Sequence, residues 1–241
     1  MARFSSIACS RSPELMDDPA LDAADHLEAL TALARINAIS RTAAELASRV
    51  RRLAPARHGD HPIHVVDVAC GGGDVTIDLA RRLGPGYRLT GIDMSSRAID
   101  RAAALARQSD IPTAAFEVGD VLASACPRCD VAVSSLFFHH LDDVAAAVVL
   151  KSMAQAAALG GVVSDLLRSR CGLVLAYLAT YVLTTSRVAR IDGPLSVRAA
   201  RTLAEYHTLV ADAGLAAARI RRSWPERVVI EWATAARGAR A

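Results

Sequence analysis

The stretch Val65-Val66-Asp67-Val68-Ala69-Cys70-Gly71-Gly72-Gly73-Asp74 constrains the fold most, because a buried strand, a glycine-rich turn and a helix start follow in it without a gap. Residues 63–68 are mostly apolar or β-branched with no clean alternation, which suits a parallel strand covered by helices on both faces. Gly71 to Gly73 remove side chains where the backbone turns tightly and approaches a ligand. Asp74 stands where an N-cap would open the amphipathic run Val75, Leu79, Ala80 and Leu83. Amides at such a helix start favour an anionic group.

The alternation continues down the chain. Strands are expected over 63–68, 87–92, 114–118, 130–134 and 161–165, with helices from 74, over 95–108 and over 142–157 between them. Two further strands, 217–223 and 227–232, joined through Pro225, read as an antiparallel pair that closes the sheet. The order implies an α/β fold: a Rossmann-like, mostly parallel seven-stranded sheet with helices on both faces, wound by right-handed crossovers. Its ligand crevice belongs at the carboxyl ends of the strands, where the loops carrying Gly71, Asp93, Asp120 and His139 converge. Residues 1–62 read as an N-terminal helical cover, helical over 21–52 with a break near Ser40, and residues 63–241 as the core. Within the core, 166–215 reads as a helical lid insertion after the fifth strand: a helix over 166–188, a turn at Ile191-Asp192-Gly193-Pro194, and a helix over 202–213.

Composition bounds the function. A chain of 241 residues fits one α/β domain with decoration. Its net charge of +3 rests on arginine, Lys151 being the only lysine, and clusters such as Arg51-Arg52 lack interleaved aromatics, which argues against a nucleic-acid partner. Five unevenly spaced cysteines and no apolar leader make the cytoplasm the expected location. The apolar run 171–185 falls short of the roughly 20 residues that span a bilayer. Because 172–182 is apolar nearly all round, burial is the expected fate, with the roof of a greasy pocket or a peripheral membrane contact as the other readings. Cys126 and Cys129 precede a strand instead of opening a helix and read as incidental thiols. His64 enters the first strand and Pro62 fixes an extended path before it, so His58, Asp60, His61 and His64 are not read as a metal site.

Two features narrow the ligand. The third glycine of a dinucleotide fingerprint falls at Thr76, and Asp67 within the first strand would repel a pyrophosphate, so a nicotinamide oxidoreductase is the weaker reading. A carboxylate there suits an ammonium or sulfonium. Asp67-x-Ala69-x-Gly71-x-Gly73 resembles motif I of the class I S-adenosylmethionine-dependent methyltransferases, with Ala69 where the first glycine is usual. The resemblance implies S-adenosyl-L-methionine as cofactor and places Asp67, Ala69, Gly71 and Gly73 around it. Asp93 would hold the ribose hydroxyls, Met94 would pack on the adenine, and Asp120 would face the adenine amino group, with Val121 and Ser135 completing the contacts. Were the motif acids missing, a non-catalytic protein on the same fold would be favoured; they are present.

The segment Ser134-Ser135-Leu136-Phe137-Phe138-His139-His140-Leu141-Asp142-Asp143 resembles the post-strand segment of small-molecule methyltransferases, including quinone-biosynthesis enzymes. By that resemblance His139, with His140 beside it, is the catalytic candidate. Imidazole titrates near neutrality and can take a proton from a phenolic or enolic oxygen. Two histidines beside a helix start also serve to cap it or to pack on adenine, and that alternative stands. Only Asp142 and Asp143 offer further ligands nearby, so no metal is expected. The segments 160–168 and 192–198, with Leu15-Met16-Asp17-Asp18 and Arg35-Ile36-Asn37, are similar to a bacterial subgroup presumed to act on phenolic polyketide or quinone-like substrates. This implies a small hydrophobic acceptor and O-methylation. Asp165, Arg168, Tyr177 and Arg198 are the candidate substrate contacts, Asp165 being alternatively the ion-pair partner of Arg168.

Overall fold

The computed structural model describes residues 7–18, 20–55 and 61–234. The chain order is α1 (Ala23–Ile39), α2 (Thr42–Leu53), β1 (Ile63–Val68), α3 (Asp74–Leu83), β2 (Tyr87–Asp93), α4 (Ser96–Gln108), β3 (Ala114–Val118), β4 (Cys129–Ser135), α5 (Asp143–Ala156) and β5 (Ala157–Leu166). It ends with α6 (Arg170–Leu183), α7 (Arg187–Ala199), α8 (Leu203–Asp212), β6 (Arg219–Ser223) and β7 (Arg227–Ala233). His58 and Asp60 lie outside the described residues.

The strands form one sheet in the order β3-β2-β1-β4-β5-β7-β6. All neighbours are parallel except β7, which runs antiparallel to β5 and β6. The order reverses between β1 and β4, so the crevice at their carboxyl ends is the switch point where such sheets take ligands. Successive β1 residues feed opposite cores, as the pleat requires. Val65 packs with Leu46 and Val50 of α2 and Leu79 of α3, whereas Val66 packs with Leu150 and Met153 of α5 and Tyr206 of α8. Each such leucine, wholly removed from water, contributes about 2 kcal/mol.

Three local expectations are corrected. Asp74 is the first residue of α3 and does not cap it; the cap position is Gly73, at φ +76°. Asp74 instead accepts from Asn37 Nδ2 at 3.0 Å, which ties α1 to the glycine turn. Ile191-Asp192-Gly193-Pro194 is not a turn but part of α7. Its turn chemistry is taken up by packing. The Asp192 carboxylate accepts from Leu15 and Met16 N–H, and Gly193 lets α6 approach so closely that an added Cβ would stand 2.7 Å from Thr180 Cγ2.

The third correction concerns the apolar helix. α6 is not buried: only Gly172 and Thr180 are, while Val174, Tyr177, Leu178, Tyr181 and Val182 are exposed. α6 packs on α7 and α1, and among the described residues nothing covers its outer face. No helix among the described residues is long and apolar enough to cross a membrane.

The expected break near Ser40 has a visible cause. Arg227, at the start of β7, donates to Thr42 Oγ1, to Ser40 Oγ at 2.9 Å and to Asn37 Oδ1 at 3.4 Å, gathering the α1–α2 junction onto the sheet. Burial pulls its pKa down to about 10.

Candidate active site

The turn after β1 rises through Ala69, Gly71 and Gly73, all at positive φ. Gly73 is required by packing, since an added Cβ would meet Ala102 Cβ at 2.5 Å and the Phe116 ring at 3.0 Å. Gly71 is different: a Cβ there meets nothing within 4 Å. The turn is therefore closed on its inner side and open at Gly71. Asp93, at the end of β2, accepts from Gly71 N–H through Oδ2 at 2.8 Å and from Ser95 N–H through Oδ1 at 2.9 Å. Each oxygen keeps a lone pair for a further donor.

Asp67 lies deeper, 1% exposed. Thr76 Oγ1 donates to its Oδ2 at 2.6 Å, while Oδ1 is buried with no partner. Burial raises its pKa to about 7 against that one hydrogen bond. Thr76, which occupies the third-glycine position, is thus the donor that holds the motif acid. Asp120 follows β3, half-buried, and accepts from Leu122 N–H at 2.8 Å. Met94 is exposed beside Asp93, Val121 packs against the core, and Ser135 ends β4 opposite Ser164.

The second half of the site is the segment after β4. Leu136 takes the left-handed conformation, φ +56°, with its N–H bonded to Ser164 O at 2.9 Å, and a 3-10 turn over Phe138–His140 follows. Arg201 clamps this turn. Its guanidinium donates to Phe138 O at 2.7 Å, Leu141 O at 2.9 Å and Asp143 Oδ1 at 2.8 Å, and its side chain is 1% exposed.

His139, 3% exposed, has Nδ1 at 2.7 Å from Oδ1 of the fully buried Asp165, which also accepts from Leu166 N–H. Burial alone would raise the Asp165 pKa, but the charge and hydrogen bond of His139 hold it below the usual carboxylate value. His139 Nε2 points to Glu14, 3.9 Å from Oε1. His140 stacks on His139 with ring centroids 4.3 Å apart, its Nε2 4.0 Å from Glu14 Oε2 and its Nδ1 3.4 Å from Asp17 Oδ2. Burial lowers the His140 pKa, but Asp17 and Glu14 outweigh it and push the value up to about 9.

Other candidates are placed elsewhere. Arg168 does not pair with Asp165; it donates to Ala200 O at 2.8 Å and Glu205 Oε1 at 2.5 Å, joining β5 to α8. Tyr177 stands on the exposed face of α6, and Arg198 lies in the last turn of α7, its carbonyl bonded to Ser10 N–H. Four residues that sequence reasoning did not single out hold the histidine pair: Glu14, Arg201, Asp192 and Ser196, whose Oγ donates to Glu14 Oε1 at 2.6 Å. Asp192 and Ser196 fall within 192–198, a stretch noted above only for its resemblance to a bacterial subgroup.

A reversed parallel sheet with a glycine turn and acids at successive strand ends defines a Rossmann-like domain for a nucleotide-type ligand. Residues 65–161 match the model of the family described as a methyltransferase domain. Among solved structures, the plantazolicin methyltransferase BpumL in complex with SAH superposes with a TM-score of 0.65 at 18% identity, covering 90% of both chains. The magnesium protoporphyrin IX methyltransferase ChlM from Synechocystis PCC 6803 gives 0.59 at 16%, also over 90% of both. Human N-acetylserotonin methyltransferase with SAM gives 0.60 at 17%, over 87% of this chain and 56% of that one. No curated protein matches the chain. The chain thus shares the Rossmann-like fold of these methyltransferases, and its residues 65–161 are similar to the methyltransferase-domain family.

Proposed function

We propose that the protein transfers the methyl group of S-adenosylmethionine to an oxygen of a small, hydrophobic phenolic or quinone-like acceptor, with His139 as the proton acceptor. The observation that carries this reading is the His139–Asp165 pair. A carboxylate can only accept, so His139 bears its hydrogen on Nδ1 and presents the Nε2 lone pair.

The residues present fit the cofactor. The unpartnered Oδ1 of Asp67 is a buried carboxyl oxygen beneath the turn that a cationic ligand would ionise, and the open side of Gly71 admits close approach. Asp93 has lone pairs for ribose hydroxyls, Met94 an exposed thioether for the adenine face, and Asp120 a carboxylate at the next strand end. S-adenosylmethionine supplies a sulfonium methyl already activated toward a nucleophile. What remains for the chain is to orient the acceptor, exclude water and move one proton. Arg201 and Asp165 fix the imidazole, and the segment 166–215 with the strap around Glu14 covers the acceptor. In that cover Tyr177 and Arg198 are the outermost candidate contacts.

Labelled S-adenosylmethionine offered with a panel of phenols and quinols tests the reading. His139→Ala lowers kcat by about a hundredfold while leaving cofactor affinity unchanged; undiminished turnover overturns the assignment of the base. Asp93→Ala abolishes cofactor binding by calorimetry, and unchanged affinity overturns the placement of the cofactor.

A further inference from the structure

We propose that Glu14, His139 and His140 form a binding site for a late first-row divalent cation, zinc being the type case. One ligand atom from each lies within 4.8 Å of the others. The Glu14 carboxylate stands between the two imidazoles, 3.9 Å from His139 Nε2 and 4.0 Å from His140 Nε2. Bonds of about 2.0–2.1 Å to nitrogen and oxygen bring ligand atoms to roughly 3.4 Å of one another in a tetrahedral site, so each glutamate–histidine pair has to close by about half an ångström. Turning one glutamate side chain achieves that. Two imidazoles and one carboxylate are a donor set for zinc, cobalt or nickel, and three protein ligands leave open positions.

Each of the three side chains also has a further polar neighbour, which a chance meeting of a glutamate and two histidines does not require. Asp165 Oδ1 is 2.7 Å from His139 Nδ1, the carboxylate–histidine arrangement that fixes the tautomer and turns Nε2 toward a metal. Asp17 Oδ2 is 3.4 Å from His140 Nδ1. Ser196 Oγ donates to Glu14 Oε1 at 2.6 Å. The backbones that carry the donors are clamped as well, the histidine turn by Arg201 and the strap by Asp192. The two ligand-bearing segments, around Glu14 and around His139, are far apart in sequence and meet only in the fold.

The site has a consequence that rests on the methyl-transfer reading, although the site itself does not. A cation on His139 Nε2 occupies the lone pair assigned there to the acceptor's proton. Cation binding and base-assisted transfer are therefore exclusive, and zinc inhibits turnover in a way that a chelator reverses. The competing occupant of the same space is a proton on His140, shared between Glu14 and Asp17.

Calorimetric titration of the chelator-treated chain with zinc chloride, repeated with cobalt chloride and followed by visible absorption, tests the site without cofactor or acceptor. One cation binds per chain; Glu14→Gln and His140→Ala each weaken it at least tenfold, and Asp165→Asn weakens it by about 10- to 100-fold. Circular dichroism of each variant establishes folding. Ser196→Ala, which removes only the hydroxyl that orients Glu14, serves where Glu14→Gln does not fold, and a weakened affinity is expected there too. Absence of binding by the wild-type chain, which is the protonated-pair outcome, overturns the proposal, as does affinity undiminished in Glu14→Gln and His140→Ala. Failure of this titration leaves the methyl-transfer reading untouched. Failure of the transfer assay on chelator-treated protein leaves the cation site untouched.

Discussion

Asp165 and His139 sit on different elements, the end of β5 and the turn after β4, yet their side chains meet at 2.7 Å in a region closed to water. The pair fixes the ring of His139 and, on the proposed mechanism, would stabilise the imidazolium formed when it takes a proton. Asp165→Asn keeps the shape and removes the charge. We expect kcat to fall by about ten- to a hundredfold with cofactor affinity unchanged, measured by steady-state kinetics beside calorimetry. A parallel loss in both quantities would mean that Asp165 serves folding and not the proton.

Arg201 supplies the clamp on the same turn. In Arg201→Met the carbonyls of Phe138 and Leu141 lose their buried donor, while the loss of Asp143, which is largely exposed, costs little. The expected destabilisation is about 2–4 kcal/mol, read as a lower thermal midpoint. Turnover falls further than stability alone explains, because the histidine turn loosens. Unchanged kcat in the folded fraction removes Arg201 from the positioning machinery.

The alternation of strands and helices and the acids at strand ends were legible because both are local: apolar runs of five or six residues bounded by glycine or polar turns can hardly be anything else between helices. The positions of Asp67, Asp93 and Asp120 follow from the strand pattern, and their proposed roles only from the resemblance to the methyltransferase motifs. The exposure of α6 was not legible, since an all-round apolar helix looks the same whether neighbours cover it or not. Nor was the helix through Asp192-Gly193-Pro194, where turn residues serve an interface. The contact of Glu14 with the histidines depends on tertiary docking, and nothing local distinguishes Arg201, which holds the site, from Arg168, which joins β5 to α8.

Asp67 predicts a pH dependence. Burial lifts its pKa to about 7 from 3.8, so the folded, ligand-free chain holds a proton there that the unfolded chain has released. Stability attached to this group is therefore present at acid pH, is lost as pH rises between those two values, and is level above them. A cationic ligand has the opposite preference and binds the ionised form. With a pKa of about 7, affinity for S-adenosylmethionine tightens about tenfold between pH 6 and pH 8, measured by calorimetry in buffers of matched ionic strength. Asp67→Asn flattens the profile. An equally steep profile in that variant assigns the dependence to another group.

Gly193 carries the last prediction, which concerns how the cover is held. α6 and α7 cross where Gly193 meets Thr180, and an added Cβ would come 2.7 Å from Thr180 Cγ2, closer than carbon atoms tolerate. Thr180 is buried and its hydroxyl is bonded to Ala176 O, so its methyl has little freedom to retreat. Gly193→Ala therefore pushes the two helices apart. The helical backbone itself gains from alanine by about 1 kcal/mol, whereas overpacking costs about 1–3 kcal/mol, so the global thermal midpoint moves little. The local effect is larger: α6 depends on α7 and α1 for its packing, and its amides should exchange hydrogen faster while those of β1 and β4 do not. Thr180→Ser in the same background removes the methyl in the way and restores protection. If exchange in α6 is unchanged in Gly193→Ala, the crossing is not what holds that helix in place.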